Sequence, residues 1–555
     1  MDRYVAGMQG PRSKNLAASL GLLIVLPLLA HVAFSWIGFN PTDDGFNLAL
    51  TRRLLDGQVP HRDFISVRPV LSPVLHIPVL LVGGDHTYWV SRLVVWFQFA
   101  SMAWLWVQIV NRFRVAPISS RQGLAAGLLC VAATVHNFQI MAWHTIDGIW
   151  LTSLGMYLCL QDGRRAHWCG YLLLGAAYLC KQSFLFEGPL TCLILGHSRR
   201  PSPWLAMLVP GAAYCLFLMT SGALDHFFLQ LSTHSELSFY LTAVYLHGYV
   251  GWGAILGYVA ADLLSDHSLL KNLGLRCESV PAAASALYFG PLFLILCCGL
   301  WTGWWAMWGS FLAMGMLTGT VGHMLVHRTE PCSEHFKPAL LALSLAWSGS
   351  ISVGYNAPAL GSGPVVLVLL SLGFALCPEV VDRRRFRALM AIGVCLVLAS
   401  FSFGRIARVY REQPVWFITD SLHGILPGAS GIYTNANCHA FLRDLVQAIT
   451  IAKKKGLKYA VIPDVPGWWA RADQANPLPV DWIWITEVER PELVDRLNRS
   501  VEEARGTAVI IVQKVEAAFL HEGPRPLSMP RPETVTRIQE RFRLVGETAF
   551  FTLYE

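Results

Sequence analysis

Residues 40–75 read NPTDDGFNLALTRRLLDGQVPHRDFISVRPVLSPVL, and the chain on either side of them is apolar. Residues 18–37 before the stretch and 88–110 after it are each long enough to cross a bilayer, whose hydrocarbon core of about 30 Å takes roughly 20 apolar residues as a helix. Asp43 and Asp44 therefore stand just past the end of a first spanning helix. Residues 46–55 read as a short helix, with Asp44 or Asp43 as its N-cap. A turn at Gly57 follows, then His61-Arg62-Asp63, and Arg68 directly before Pro69. The bland reading is a solvated interfacial loop, since acidic N-caps are common and arginine beside a membrane meets lipid head groups. The density of ionisable groups beside so apolar a chain favours a functional loop.

Outward from this loop the whole composition agrees. Of 555 residues, 54% are hydrophobic and only 14% charged, against about 25% charged in soluble domains; the mean hydropathy is +0.45. That excludes an ordinary soluble enzyme, a disordered chain and a fibrous protein, and predicts a polytopic α-helical membrane protein. About thirteen spans are expected, near 18–37, 88–110, 123–142, 147–161, 168–181, 184–196, 203–221, 241–264, 281–300, 303–326, 338–354, 363–378 and 387–404. The run 69–82 is apolar but short and rich in proline, so it is expected at the interface.

Lys and Arg fall in alternate loops, from Arg3, Arg12 and Lys14 through Arg112, Arg114 and Arg121 to Arg383, Arg384, Arg385 and Arg387. The turns near 136–146, 222–240 and 355–362 hold none. By the positive-inside rule the N-terminus is cytoplasmic, 168–196 is a hairpin of two short spans, and the C-terminus lies outside. The first apolar segment reads as a retained signal anchor rather than a cleaved leader. Two regions are left exposed, the first external loop 38–87 and the segment 405–555. The latter alternates strand-like runs (458–464, 481–487, 507–515) with amphipathic helical stretches (438–455, 490–504), the pattern of a small α/β domain. It is long enough to bury its own core. Of 13 cysteines only Cys438 falls there, so no disulfide framework is expected.

The loop motifs resemble the GT-C superfamily of integral membrane glycosyltransferases, which includes protein O-mannosyltransferases and lipid A aminoarabinose transferases. The shared features are Asp43-Asp44-Gly45 after the first span, Leu54-Leu55-Asp56-Gly57, Pro60-His61-Arg62-Asp63-Phe64 and Arg68-Pro69. Trp143-His144-Thr145-Ile146-Asp147-Gly148 at the second external turn and Lys181-Gln182 at the hairpin tip agree as well. His61 stands where that family usually has an aromatic, and Arg68-Pro69-Val70 where it has Lys-Pro-Pro.

The resemblance implies a GT-C membrane region over 1–404 with an extracytoplasmic domain over 405–555. It implies a cell-membrane enzyme that moves a hexosyl or pentosyl group, with inversion, from a polyprenyl-phosphate donor to a glycan, lipid or protein acceptor; no nucleic acid is involved. An external acceptor hydroxyl needs a general base, which a positioned carboxylate supplies, and the departing phosphate needs cations. By resemblance Asp43 is the first choice of base and Asp44 the second. Arg68 grips the phosphate, with Lys181 and Arg62 as further candidates. Asp147 orients the acceptor or shares a divalent cation, Mg or Mn, with Asp44. His61, Asp63 and His144 are other pocket candidates.

Several features are expected to be bland. His323 and His327 have metal-ligand spacing, but no acidic third ligand is near them in sequence. Lys181 and Glu187 could form an interfacial ion pair. Asp225, His226, His234 and Glu236 suggest a solvated loop, Tyr355-Asn356 packing at a helix end, and Asn498-Arg499-Ser500 a sequon. Two other functions compete: a transporter or flippase of a lipid-linked saccharide, and a non-catalytic membrane scaffold. Against transport, the ionisable residues gather in external loops, not at midplane.

Overall fold

The computed structural model describes residues 17–113, 119–233, 243–275, 279–327, 332–352, 355–376, 384–483, 487–527 and 533–555, with the backbone alone over 332–335. Every stretch expected to span contains a helix, beginning with Ala17–Phe34, Thr87–Arg112, Ser120–Val135 and His144–Cys159 and ending with Ser362–Leu376 and Arg384–Ala407. Among the described residues, seven helical runs are long and apolar enough to cross a membrane. The others are shorter or more polar. The expected span at 184–196 is a 3-10 turn, Gln182–Phe186, followed by the eight-residue helix Glu187–Ile194. Eight residues rise about 12 Å, well short of the hydrocarbon thickness.

The helices pack around one apolar core that includes Trp96, Trp106, Tyr288 and Trp305. The run 69–82 forms two short helices, Leu71–Leu75 and Ile77–Gly83, hinged at His76. Leu81 and Val82 on the second are 68% and 75% exposed.

Beyond the last long helix the chain builds a hairpin of β1 (Ile418–Ser421) and β2 (Tyr433–Asn435). A four-stranded mixed sheet follows, made from β3 (Lys458–Ile462), β4 (Ala508–Gln513), β5 (Leu544–Glu547) and β6 (Phe551–Tyr554), in the order β3-β4-β6-β5. β3 and β4 run parallel, β4 and β6 antiparallel. Two runs expected as strands are β3 and β4, and both expected helices form, as Ala436–Lys454 and Pro491–Glu503. The expected strand at 481–487 has no strand in its described part, where Trp482 makes a lone bridge to Asp464; 484–486 lie outside the described residues.

Side chains along β3 and β4 alternate between two cores. Tyr459, Val461, Val509 and Ile511 face one, Ala460, Ile462, Ile510 and Val512 the other. Both sheet faces are covered, so the strands read as continuous apolar runs. The first of these cores is not the segment's own, because Phe39, Leu48, Val79, Leu80 and Tyr88 from the first loop and the start of Thr87–Arg112 are built into it. The expectation of a self-contained core is corrected here: an amphipathic loop and a sheet with a second apolar face bury each other.

Ion pairing reinforces that seam. Arg53 on the loop helix Phe46–Leu55 makes a buried two-pronged pair with Asp481, both contacts 2.7 Å.

Candidate active site

The acidic loop is tied into a ring by its own side chains. The Asn40 side-chain oxygen accepts from the backbone N–H of Thr42 and of Asp43, both at 3.1 Å, as asparagine does in turns. Asp44 Oδ2 accepts from the N–H of Asn40 at 3.0 Å. Gly45 then turns the chain at φ +89° into the helix Phe46–Leu55. A Cβ there would meet the Tyr88 hydroxyl at 2.7 Å and the Gly467 Cα at 2.9 Å, so the position needs glycine both for its dihedral and for the close approach. The expected carboxylate cap is absent. Gly45 is the N-cap, without a side-chain hydrogen bond, and both carboxylates point elsewhere.

Asp44 is held from the membrane region. Arg92 lies buried in the long helix Thr87–Arg112 and donates to the carbonyls of Ser35, Ile37 and Gly38, just past the end of the first helix. Its Nη2 also stands 3.3 Å from Asp44 Oδ1, and Gln139 donates to Asp44 Oδ2 at 3.2 Å. Asp43 turns the other way. Its Oδ2 accepts from Arg411 at 2.9 Å and from the Tyr410 hydroxyl at 3.1 Å; its Oδ1 has no partner among the described residues. Arg411 holds φ +47°, a conformation rare for its residue type. Burial raises the carboxyls of both aspartates above their ordinary range, opposed at Asp43 by Arg411 and at Asp44 by Arg92.

A third carboxylate, Asp464, follows β3. Its Oδ2 accepts from the Thr42 hydroxyl at 2.9 Å, while its Oδ1 is buried without a partner among the described residues. Burial pushes this carboxyl well above its ordinary range, and the charge of Asp43 adds to the rise.

From this acidic pole an aromatic path leads to a basic one. Asp464 bridges by backbone to Trp482, whose ring lies 5.2 Å from that of Phe46. The Phe46 ring lies 6.2 Å from Trp143 and 6.0 Å from the Arg68 guanidinium carbon. The His144 ring lies 4.6 Å from that of Trp143. Lys181 donates to Thr145 at 3.1 Å, and Arg68 is paired with Glu487 at 2.7 Å.

Other expected members lie apart from these poles. Arg62 and Asp63 pair with each other, and Arg62 with the Ser221 carbonyl, at an exposed edge. His61 is buried between Tyr214 at 2.7 Å and Gln230 at 3.0 Å, with the Phe227 ring at 4.9 Å, so it packs as the aromatic it replaces. Asp147 is enclosed by Ser72, Gln98 at 2.6 Å and His76 at 3.2 Å.

A cation shared by Asp44 and Asp147 does not fit this arrangement. Each carboxylate oxygen of both residues already meets an N–H or O–H donor. The helix that reaches both does so through Arg92 and Gln98, six residues and about 9 Å apart along its axis. Lys181 and Glu187 do not pair either, since Glu187 accepts from Ser344 and Ser348. Asp225 and His226 are exposed, and His234 and Glu236 lie outside the described residues. The Tyr355 hydroxyl meets His136 at 2.9 Å. Asn498 is buried and accepts from Thr534.

Arg92, Gln139, Tyr410, Arg411 and Asp464 were not singled out from sequence. Only Arg92 carried a signal that could have found it, a charge inside an apolar run.

No protein-family model and no curated protein sequence matches the chain. Solved structures do. ArnT from Cupriavidus metallidurans bound to undecaprenyl phosphate is similar at 13% identity and a TM-score of 0.49, over 96% of this chain and 97% of that one. The oligosaccharyltransferase AglB from Archaeoglobus fulgidus, in complex with an inhibitory peptide and a dolichol-phosphate, is similar at 10% identity and a TM-score of 0.45, over 90% and 69%. The Archaeoglobus fulgidus oligosaccharyltransferase complex with Zn and sulfate is similar at 12% identity and a TM-score of 0.43, over 90% and 67%.

Proposed function

We propose that this membrane protein is an inverting glycosyltransferase that moves a sugar from a polyprenyl-phosphate donor to an extracytoplasmic acceptor. The supporting observation is the split between the two adjacent carboxylates. Asp44 has both oxygens engaged by donors and shapes the loop. Asp43 keeps one oxygen free of protein donors among the described residues.

In this reading Asp43 takes the proton from the acceptor hydroxyl. That oxygen attacks the anomeric carbon from the face opposite the phosphate, and the bond from the anomeric carbon to the phosphate oxygen breaks with inversion. The lipid phosphate leaves with an added negative charge, which Arg68 and Lys181 offset. Glu487 holds Arg68 until the phosphate takes its place. The rings of Phe46, Trp143 and Trp482 span the gap where the sugar would lie. Asp147, wrapped in Ser72, His76 and Gln98, positions the returning loop rather than the acceptor.

The orientation belongs to this proposal: N-terminus in the cytoplasm, residues 405–555 outside the cell membrane. A reporter domain active only in the cytoplasm, fused after residue 410, should be inactive; activity there sinks the external site. The substrates are tested by comparing lipid extracts and envelope glycans of a deletion strain with the parent. Accumulated polyprenyl-phosphate sugar together with one missing glycan residue is expected, restored by the wild-type gene and not by Asp43→Asn. Full restoration by both Asp43→Asn and Asp44→Asn would leave a transporter or a scaffold.

A further inference from the structure

The helices Gly248–Ser265 and Gly309–Val326 touch backbone to backbone. A Cβ added at Gly253, Gly257, Gly315 or Gly319 would strike a main-chain carbonyl of the facing helix, the packing that small residues allow between membrane helices. At the end of this seam polar side chains take over. His323 and His327, one turn apart on one helix, face Asp262 on the other. Asp262 Oδ1 lies 3.2 Å from His323 Nε2 and 3.7 Å from His327 Nε2. The third ligand that the sequence spacing lacked is thus supplied across the helix pair.

We propose that Asp262, His323 and His327 bind one divalent transition-metal ion, zinc by preference. The three ligand atoms lie within 4.8 Å of one another. Tetrahedral zinc, with bonds of about 2.1 Å, needs them about 3.4 Å apart, so small rotamer changes suffice. Two imidazoles and one carboxylate suit zinc or cobalt and not calcium or magnesium. His323 is buried, whereas the side chains of Asp262 and His327 are 48% and 46% exposed, which leaves the ion an entry path and a position for water. The Ser265 hydroxyl lies 3.4 Å from His323 Nε2 and the Tyr258 hydroxyl 3.3 Å from His327 Nε2, so each nitrogen exchanges a hydroxyl partner for the ion when the metal binds. The ion acts as a clip at one end of a helix pair that close glycine contacts hold along its length and the Tyr249–Trp308 and His247–Phe311 ring contacts hold at the other end. It stands independently of the glycosyltransferase reading.

The test uses the full chain in detergent, freed of any affinity tag and stripped with chelator, then titrated with Co²⁺. One Co²⁺ per chain, with the visible absorption of a tetrahedral site and displacement by Zn²⁺, is expected. His327→Ala, at a position whose side chain is 46% exposed, should weaken binding at least tenfold, since loss of even an outer-shell partner costs about 10–100-fold. Asp262→Asn should do the same, and Zn²⁺ should raise the thermal midpoint of the wild type but not of these variants. Absence of cobalt absorption in the wild type, or equal binding by a folded His323→Ala/His327→Ala double variant, would overturn the site.

Discussion

Two buried acidic sites on the same protein are built in opposite ways. Asp147 is surrounded by hydroxyl, amide and imidazole groups, from Ser72, Gln98 and His76. Asp43 and Asp44 are surrounded by arginines, Arg411 on one side and Arg92 on the other. The first arrangement joins the returning loop and the long helix Thr87–Arg112 to the helix that carries Asp147, and every oxygen is used. The second keeps charge in place, and one oxygen of Asp43 is spared among the described residues. A saturated carboxylate is a fastening; one held by a cation at the edge of its shell is available for proton transfer.

The largest effect should come from exchanging the two sites' side chains for amides. Asp43→Asn should lower sugar transfer by about 10²–10⁴-fold with only a modest fall in thermal midpoint, because the Arg411 side chain that loses its carboxylate is 34% exposed and can turn to solvent. Asp147→Asn should instead cost stability, about 1–3 kcal/mol for a buried group left facing the wrong partners, and retain measurable turnover. Transfer assays alongside thermal unfolding separate the two; a folded but inactive Asp147→Asn beside an active Asp43→Asn would reverse the comparison.

Asp44 sharpens it from within the loop. Asp44→Ala leaves the Arg92 guanidinium buried without its carboxylate, and breaking a buried pair from one side costs about 3–5 kcal/mol. Thermal unfolding should show that loss directly; a variant as stable as the wild type would remove Arg92 as the holder of the loop.

At the basic pole, Arg68→Ala should weaken donor use about tenfold or more, since a charge-assisted contact contributes about 1.5–3 kcal/mol. Arg68→Lys should recover part of it. Arg62 lies at an exposed edge, where solvent screens ion pairs, so Arg62→Ala should leave donor affinity nearly unchanged. Equal losses at both positions would show that the phosphate lies outside the pole formed with Lys181.

The smallest effect is a displacement of the pH profile. Burial raises the Asp43 carboxyl and Arg411 lowers it, so the acid limb of the rate should lie above the ordinary carboxylate value of 3.8. Removing the cation in Arg411→Ala raises the carboxyl further, and the acid limb should move to higher pH. A limb that stays in place would mean that Asp43 is not the group titrating.

Much of this was legible along the chain because its causes are local. Apolar run length selects membrane helices, and a helix has formed at each expected stretch, even where, as at Glu187–Ile194, it is too short to cross alone. Asp43, Asp44 and Arg68 stood out because charge is costly beside a membrane. Arg411 and Asp464 were illegible because they lie some 370 and 420 residues from Asp43 and reach it only through packing against a shared core.

Sequence by itself determined the class of protein, the helices and the acidic loop, since hydropathy and charge are properties of neighbouring residues. Tertiary structure decided which carboxylate is spent and which is spared. It also decided that Asp147 belongs with Ser72 and His76, and that the histidines at 323 and 327 have an aspartate opposite them. Hydrogen-bond donors and ion partners act over about 3 Å, and only the fold brings groups hundreds of residues apart within that distance.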